Sequence, residues 1–373
     1  MAAKSKKVKV TKKAARAQRA LEPVAHVGFQ FSHKHYVFIA KLKRGEIWAL
    51  NYLSTIAKAT TTPLLEICPP QPGRQLLTYA TETLQTVRAE WGLPFFLDTR
   101  YLVSGGGPSP ASAQTVLNAA RALDLQVVPV TSIANSPAFQ NEIRNAIGLD
   151  NRGVMIRLLT TDFNNPTLLA QYLTALMQVL QVAQSQVDIL IDLEYRPEQV
   201  AVQHLGSYSL ANLPFIDDWR TVTLASGCFP DSISNIGMGT WNAVPRSDWN
   251  GWFQINTIRS ATNLRRASFG DYGIRCGGPP RNIPNTPAPN IRYSDQQQVL
   301  VRRGSKTPGT MRGICASLVG MPNFSGAQFS QGDSEIAAKA TTAGFANGSP
   351  ENWIQWCTNH HLALTVSQIQ NLP

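Results

Sequence analysis

The sequence predicts an α/β protein of the TIM-like (β/α)8-barrel class, irregular in part, with a long insertion after the seventh strand. Three observations predict it. Short apolar runs recur from residue 36 onward, each ending in polar or charged residues. The runs are nearly continuous in apolar residues rather than alternating, which marks parallel strands covered on both faces. A helix-compatible segment follows each of the first six runs, which argues for βα units with right-handed crossovers. An open doubly wound sheet is the competing arrangement, but no Gly-rich phosphate fingerprint follows any run.

In order, the first units are YVFIAKLK (36–43) with GEIWALNYLSTI (45–56), PLLEIC (63–68) with LLTYATETLQTVRAEW (76–91), and PFFLDTRY (94–101) with ASAQTVLNAARAL (111–123). Then come LQVVPV (125–130) with FQNEIRNAI (139–147), GVMIRLL (153–159) with PTLLAQYLTALMQVLQ (166–181), and VDILIDLE (187–194) with EQVAVQHLGSYSLANL (198–213). TVTLASG (221–227) is the seventh strand. Residues 228–300 then lose the rhythm and read as an irregular insertion, with GGPPRNIPNTPAPN (277–290) a loop by composition. DYGIR (271–275), NIRYS (290–294) and QQVLVRRG (297–304) are strand candidates, the last two as a hairpin around Ser294 and Asp295. The pattern leaves open which of the three closes the barrel. SEIAAKATTAGF (334–345) and NWIQWCTNHHLALTVSQIQ (352–370) read as helices, either the last barrel helix or docked on its side. The domain organisation is thus a disordered basic tail over 1–20 and a single barrel-like domain over 36–370.

Composition narrows the setting. Of 373 residues, 43% are hydrophobic, which supports a large core. No apolar run approaches the roughly 18 residues that span a membrane, and no secretory signal is read at the start. Cys68, Cys228, Cys276, Cys315 and Cys357 lie far apart, as reduced cytoplasmic thiols do, and no compact Cys/His zinc spacing is present. The net charge is +11, but residues 1–20 carry eight basic residues and no acid, leaving +3 for the rest. The tail is therefore the expected contact with nucleic acid or another polyanion, or else a solubilising segment; KKAARAQR could also form a short helix on a protein partner.

A parallel barrel gathers its chemistry where the strands end. The polar residues late in the predicted strands are Lys41, Lys43, Glu66, Asp98, Arg100, Thr131, Arg157, Asp192, Glu194 and Ser226. Asp188, Leu190, Asp192 and Glu194 share one parity, so Asp192 and Glu194 are expected on one face. Glu66, Asp98, Asp192 and Glu194 are the candidate catalytic residues. Asp98, Asp192 and Glu194 are the candidate ligands of Mg2+ or Mn2+, hard cations that take oxygen. Lys41 and Arg157 would neutralise a phosphate, and Asp271 and Arg275, flanking Tyr272, would hold substrate. Such a set suits metal-assisted phosphodiester hydrolysis. The same carboxylates suit glycoside cleavage if about 5–10 Å apart. A structural ion-pair network, with each charge matched to survive burial, is the alternative account.

Other landmarks read two ways. Asp333 or Ser334 in FSQGDSEI caps a helix, or Asp333 joins the mouth. Trp249 and Trp252 in VPRSDWNGW stack on a base or sugar, or lock the insertion to its scaffold. His360 and His361 point about 100° apart on a helix, so they are expected to face the core and a partner rather than share a metal. Cys228 is a nucleophile only with a base in reach, and no HExxH or GxSxG pattern is present.

Taken together, YVFIAKLKRGEIWAL, PLLEI, FFLDTRY, GVMIRLLTTDF, VDILIDLE, TVTLASGCFP, PRSDW, FGDYGI, IRYS, LVRRG, FSQGD and NWIQWCTNHH carry a resemblance. In their order and spacing the sequence resembles the beta-protein family, named for a T-even bacteriophage protein and found in phages and bacteria. The likeness covers about residues 36–370; the basic tail and Cys228 depart from it. It implies a phage or bacterial setting, linked to phage–host conflict, and supplies no catalytic assignments. Three classes of function follow: a metal-assisted hydrolase, a non-enzymatic protein that binds a host or phage macromolecule, and a virion or assembly component. Carboxylates converging beside an open cleft would favour the hydrolase, whereas carboxylates each paired to Arg or Lys in a filled barrel would remove it.

Overall fold

The computed structural model describes residues 31–280 and 287–372. The expected basic tail, and any polyanion contact through it, lie outside the described residues. Strands β1 (Tyr36–Lys41), β2 (Leu64–Glu66) and β3 (Phe95–Asp98) are followed by a small hairpin, β4 (Val103–Ser104) and β5 (Gly107–Pro108). Next are β6 (Val127–Thr131), β7 (Val154–Leu159), β8 (Val187–Tyr195), β9 (Thr221–Gly227), β10 (Trp241–Pro245) and β11 (Ser268–Asp271). Eight of these close into a parallel barrel in the order β1-β11-β9-β8-β7-β6-β3-β2. Outward residues such as Tyr36, Phe38, Ile156, Leu158, Ile189 and Ile191 form the main core with the surrounding helices. The alternate positions, Val37, Ile39, Phe96, Val128, Met155 and Leu190, are buried too and fill the interior. Burial on both faces is why the runs read as continuous rather than alternating.

The helices between strands are α1 (Arg44–Asn51), α2 (Thr55–Ala59), α3 (Leu76–Glu90), α4 (Pro110–Ala122), α5 (Pro137–Asp150), α6 (Pro166–Leu180) and α7 (Gln199–Ala211). Ser109, Ser136 and Asn165 cap α4, α5 and α6, each accepting from a backbone N–H, with Pro at the first helical position. These caps fix where the chain leaves each loop.

The stretch expected as an irregular insertion, 228–300, holds regular barrel elements. Helix α8 (Ser247–Ala261) packs against α7, β9 and β11 as the seventh barrel helix. Its buried residues include Trp249, Trp252, Asn256 and Arg259, at helical spacing. Asn256 and Arg259 are polar, bonding to Ala267 O and Arg265 O, and Ser247 and Asp248 are buried too, so the apolar period is faint. Trp249 and Trp252 belong to the main core, the scaffold reading of that segment. The closing strand is Ser268–Asp271, which DYGIR overlaps only at Asp271. At Gly270 a Cβ would lie 2.8 Å from that of Ala225, so the strand needs glycine there.

The other two strand candidates pair antiparallel, as β12 (Asn290–Ser294) and β13 (Gln298–Arg303), and β10 adds to β13. With α9 (Thr310–Val319), α10 (Gln331–Thr341) and one face of α11 (Pro350–Gln370), they enclose a second core around Ile291, Tyr293, Val301, Met311, Ile314 and Trp356. The other face of α11 packs on α1 and β1 and completes the ring of helices. Most of the insertion therefore follows the eighth strand, not the seventh. Among the described residues, no helix is long and apolar enough to cross a membrane.

Candidate functional site

Strand register builds the barrel mouth. Lys41, Glu66 and Asp98 are neighbours across β1, β2 and β3, and their shared level turns all three inward at the C-terminal end. Arg157, from β7, sits between them. Its Nη1 donates to Glu66 Oε1 and Asp98 Oδ2, both at 2.8 Å. Its Nε and Nη2 donate to Asp192 Oδ2 at 2.9 and 2.6 Å. The Tyr272 hydroxyl accepts from Nη2 at 2.7 Å and donates to Asp192 Oδ2 at 2.6 Å. None of these five residues is more than 4% exposed. Lys41 Nζ donates to Glu66 and, at 2.9 Å, to Tyr101 Oη, and Arg100 Nε lies 3.7 Å from Glu66 Oε1. Three cations thus face three carboxylates, which is how such charges survive burial.

The environment separates the acids. Burial raises a carboxyl group's pKa, but at Glu66 the charges of Arg157, Lys41 and Arg100 outweigh it and hold the group low. At Asp192, burial is likewise overcome by Arg157 and the Tyr272 hydroxyl. At Asp98, burial wins and the pKa is raised. Burial pulls Lys41 down despite Glu66.

The residues expected to share a cation, Asp98, Asp192 and Glu194, are not assembled for one. The Arg157 guanidinium binds the inner oxygens of Asp98 and Asp192. Glu194 is exposed, because β8 shifts register between Asp192 and Tyr195 and Glu194 takes a left-handed conformation with φ of 60°. Only its N–H reaches the ring, donating to Asp192 Oδ1 at 2.8 Å. The parity argument fails at that bulge. Among the described residues, no group of three or more His, Cys, Asp and Glu side chains is arranged to hold a metal ion. The residues present do not fit Mg2+ or Mn2+.

Asp271, expected beside substrate, lies on the outer side of the barrel wall. It accepts from Tyr36 Oη at 2.5 Å and pairs with His361 Nε2 at 2.9 Å. Burial opposes its ionisation, but His361 and Tyr36 hold its pKa low. His360 takes its own aspartate, Asp333, at 2.9 Å, so both histidines face the interior and neither faces a partner. Ser294 Oγ is 2.7 Å from His361 Nδ1, which completes a Ser–His–Asp chain. All three residues are at most 1% exposed, and none lines the cavity described next, so the chain ties α11 to the barrel. Ser330, rather than Asp333 or Ser334, caps α10. Thr131 is tied up with Gln140 and Asn135. Burial raises the Cys228 thiol well above its ordinary range, so it is no ready nucleophile.

A cavity of about 910 Å³ opens over this end of the barrel. Lys41, the loops after β9 and β11, and the first turns of α1 and α11 line it. Its described lining carries seven basic and four acidic side chains, and Arg275 stands among them as expected. Arg303 donates to Ser234 O and Ile236 O, both at 2.7 Å. Arg292 donates to Ile274 O at 2.9 Å and to Asn290 Oδ1 at 3.3 Å. A smaller cavity of about 20 Å³ adjoins Lys41, Glu46, Arg275 and Thr358.

Sequence reasoning missed Glu46, Arg292, Arg303 and the part of Tyr272 in the ring. Tyr272 stands one residue past a strand end, the signal that picked out its neighbours. Glu46 reads as an ordinary acid in a helical first turn. Arg292 and Arg303 reach the cavity only through hairpin pairing that the sequence does not place against the barrel.

Fold and site define a (β/α)8-barrel protein whose mouth is filled by a neutralised charge ring beneath a basic cavity. The Beta protein family profile matches residues 36–367, and the chain belongs to that family. No curated protein matches it. Among solved structures it is similar to a type I 3-dehydroquinate dehydratase from Clostridium difficile, at 12% identity and a TM-score of 0.38, over 65% of this chain and 85% of that one. It is also similar to a candidate lyase/mutase from Burkholderia cenocepacia, at 13% identity and a TM-score of 0.31, over 63% and 76% of the two chains. At TM-scores this low the likenesses carry no argument, and the barrel assignment rests on this chain's own strand order.

Proposed function

We propose that the chain is a phage or bacterial binding protein that takes a phosphate-bearing ligand in the cavity over the C-terminal end of its barrel. The carrying observation is the pairing of Arg292 and Arg303. Both line the cavity, and among the described residues both donate to backbone carbonyl or amide oxygens rather than to a carboxylate. A guanidinium held by neutral acceptors is not directly paired with a carboxylate, and a phosphate supplies a counter-charge in bidentate geometry. Burial, with the charge of Arg275 adding to it, pulls Arg292 down to about 10, the direction an uncompensated cation takes. The mouth carboxylates are already engaged, which favours binding over the metal-assisted hydrolysis considered from sequence.

Calorimetric titration of inorganic pyrophosphate and ribose 5-phosphate into the full chain at about 0.15 M salt tests the reading. Saturable binding is expected, weakened about tenfold or more by Arg292→Leu and by Arg303→Leu, and retained when residues 1–20 are removed. Binding that disappears with residues 1–20 and ignores both arginine substitutions would overturn it.

A further inference from the structure

One buried acid in the cavity wall has no use in the ring below it. Glu46 is 2% exposed and lines both cavities. Its Oε1 has no hydrogen-bond partner among the described residues. Among the described residues the nearest cation, Arg275 Nε, stands 3.5 Å away, too far for a good hydrogen bond. A buried carboxylate oxygen without a donor is costly, so its position suits a donor that arrives with a ligand. Arg275 already balances the charge. The incoming donor is therefore better a neutral N–H than a second cation, which would meet Arg275 at close range.

We infer that the cavity takes a guanine nucleotide, with Glu46 reading the base and the cavity arginines holding the phosphate. The inference rests on the phosphate-binding reading and names the rest of its ligand. Guanine presents two adjacent N–H donors, on N1 and N2, that a carboxylate accepts side by side. Adenine and cytosine offer one amino group beside a ring acceptor, which repels the second carboxylate oxygen. The cavity, at about 910 Å³, falls within the usual size of small-molecule sites. Half-buried Tyr79 lines it as well and offers an aromatic surface to a base.

The experiment compares GMP, AMP and ribose 5-phosphate by calorimetry on the full chain and on Glu46→Gln, at about 0.15 M salt. GMP is expected to bind at least about tenfold more tightly than the other two. In Glu46→Gln, whose amide offers one acceptor in place of two, the preference for GMP over ribose 5-phosphate is expected to disappear, while the loss of negative charge beside Arg275 leaves ribose 5-phosphate bound as tightly or more tightly. Retained ribose 5-phosphate binding and a cooperative thermal melt show that the variant is folded, and a GMP preference that survives the substitution would overturn the role of Glu46. Equal binding of GMP and ribose 5-phosphate by the natural chain would overturn the guanine inference and leave the phosphate reading intact. No binding of any of the three would overturn both.

Discussion

Arg157 donates to one oxygen of Asp192 from two nitrogens, Nε at 2.9 Å and Nη2 at 2.6 Å, while its Nη1 serves Glu66 and Asp98. A single guanidinium from β7 thereby satisfies carboxylates on β2, β3 and β8. Removing it leaves three buried acids short of their partner. Arg157→Leu is expected to destabilise the protein by about 3–5 kcal/mol, the range seen when one member of a buried ion pair is lost. A fall in the urea midpoint reads this. A change below about 1 kcal/mol, typical of an exposed pair, would show that the ring does not hold the mouth together.

Acid lability has an identifiable source in His35. The side chain is buried, bonded to Thr62 Oγ1 at 2.9 Å and stacked on Phe31 at 4.0 Å. Burial lowers its pKa from 6.5 to about 3. As pH falls below 6.5, the unfolded chain takes up a proton that the folded chain refuses until about pH 3. The contribution of His35 to stability is therefore complete above 6.5 and is lost progressively down to about 3, by at most about 1.4 kcal/mol per pH unit. His35→Gln should flatten this part of a stability profile measured by urea unfolding at successive pH values. An unaltered slope would assign the lability elsewhere.

Helices α10 and α11 meet backbone to backbone at Gly332. A Cβ there would lie 2.1 Å from Trp356 O, and the Gly332 N–H donates to Asn359 Oδ1 at 2.8 Å. Gly332→Ala is expected to cost about 1–3 kcal/mol or more, as overpacking does. Gly148, in α5, has nothing within 4 Å of its added Cβ. Gly148→Ala should be stabilising by about 0.5–1 kcal/mol. Thermal melts of the two variants should move in opposite directions.

Two kinds of polyanion binding should separate by salt. Residues 1–20 hold eight basic residues in series, so binding of a DNA oligonucleotide through them should weaken steeply as salt rises. Deleting residues 1–20 should flatten that salt dependence in a fluorescence anisotropy titration. Pyrophosphate binding in the cavity should survive the deletion. A salt slope that does not change on deletion would move the polyanion contact to the barrel domain.

Much of the barrel was legible because its strands are buried on two faces, which leaves a continuous apolar run for each of β1 to β3 and β6 to β9. The ring residues Lys41, Glu66, Asp98, Arg157 and Asp192 were legible for a related reason, since polar residues late in such runs have only the barrel mouth to occupy. Helix α8 was not, because Asn256 and Arg259 on its buried face bond to backbone oxygens and blur the apolar period. The closing strand is four residues, SFGD, too short and polar to stand out. Glu194 was misplaced because alternation holds only while a strand keeps its register.

By itself, the sequence determined the class of fold, the order of seven strands and the residues that crowd the mouth, since local apolar pattern dictates which side chains must be buried. Only the tertiary structure decided what those charges do. Whether three carboxylates gather around a metal or a guanidinium depends on how strands far apart in sequence are brought together across the barrel, and here Arg157 stands between them. The tertiary structure also set Glu46 beside Arg275 in a cavity wall, because that contact joins the first turn of α1 to the loop after the closing strand. Alternation along one strand carries no information about such a meeting.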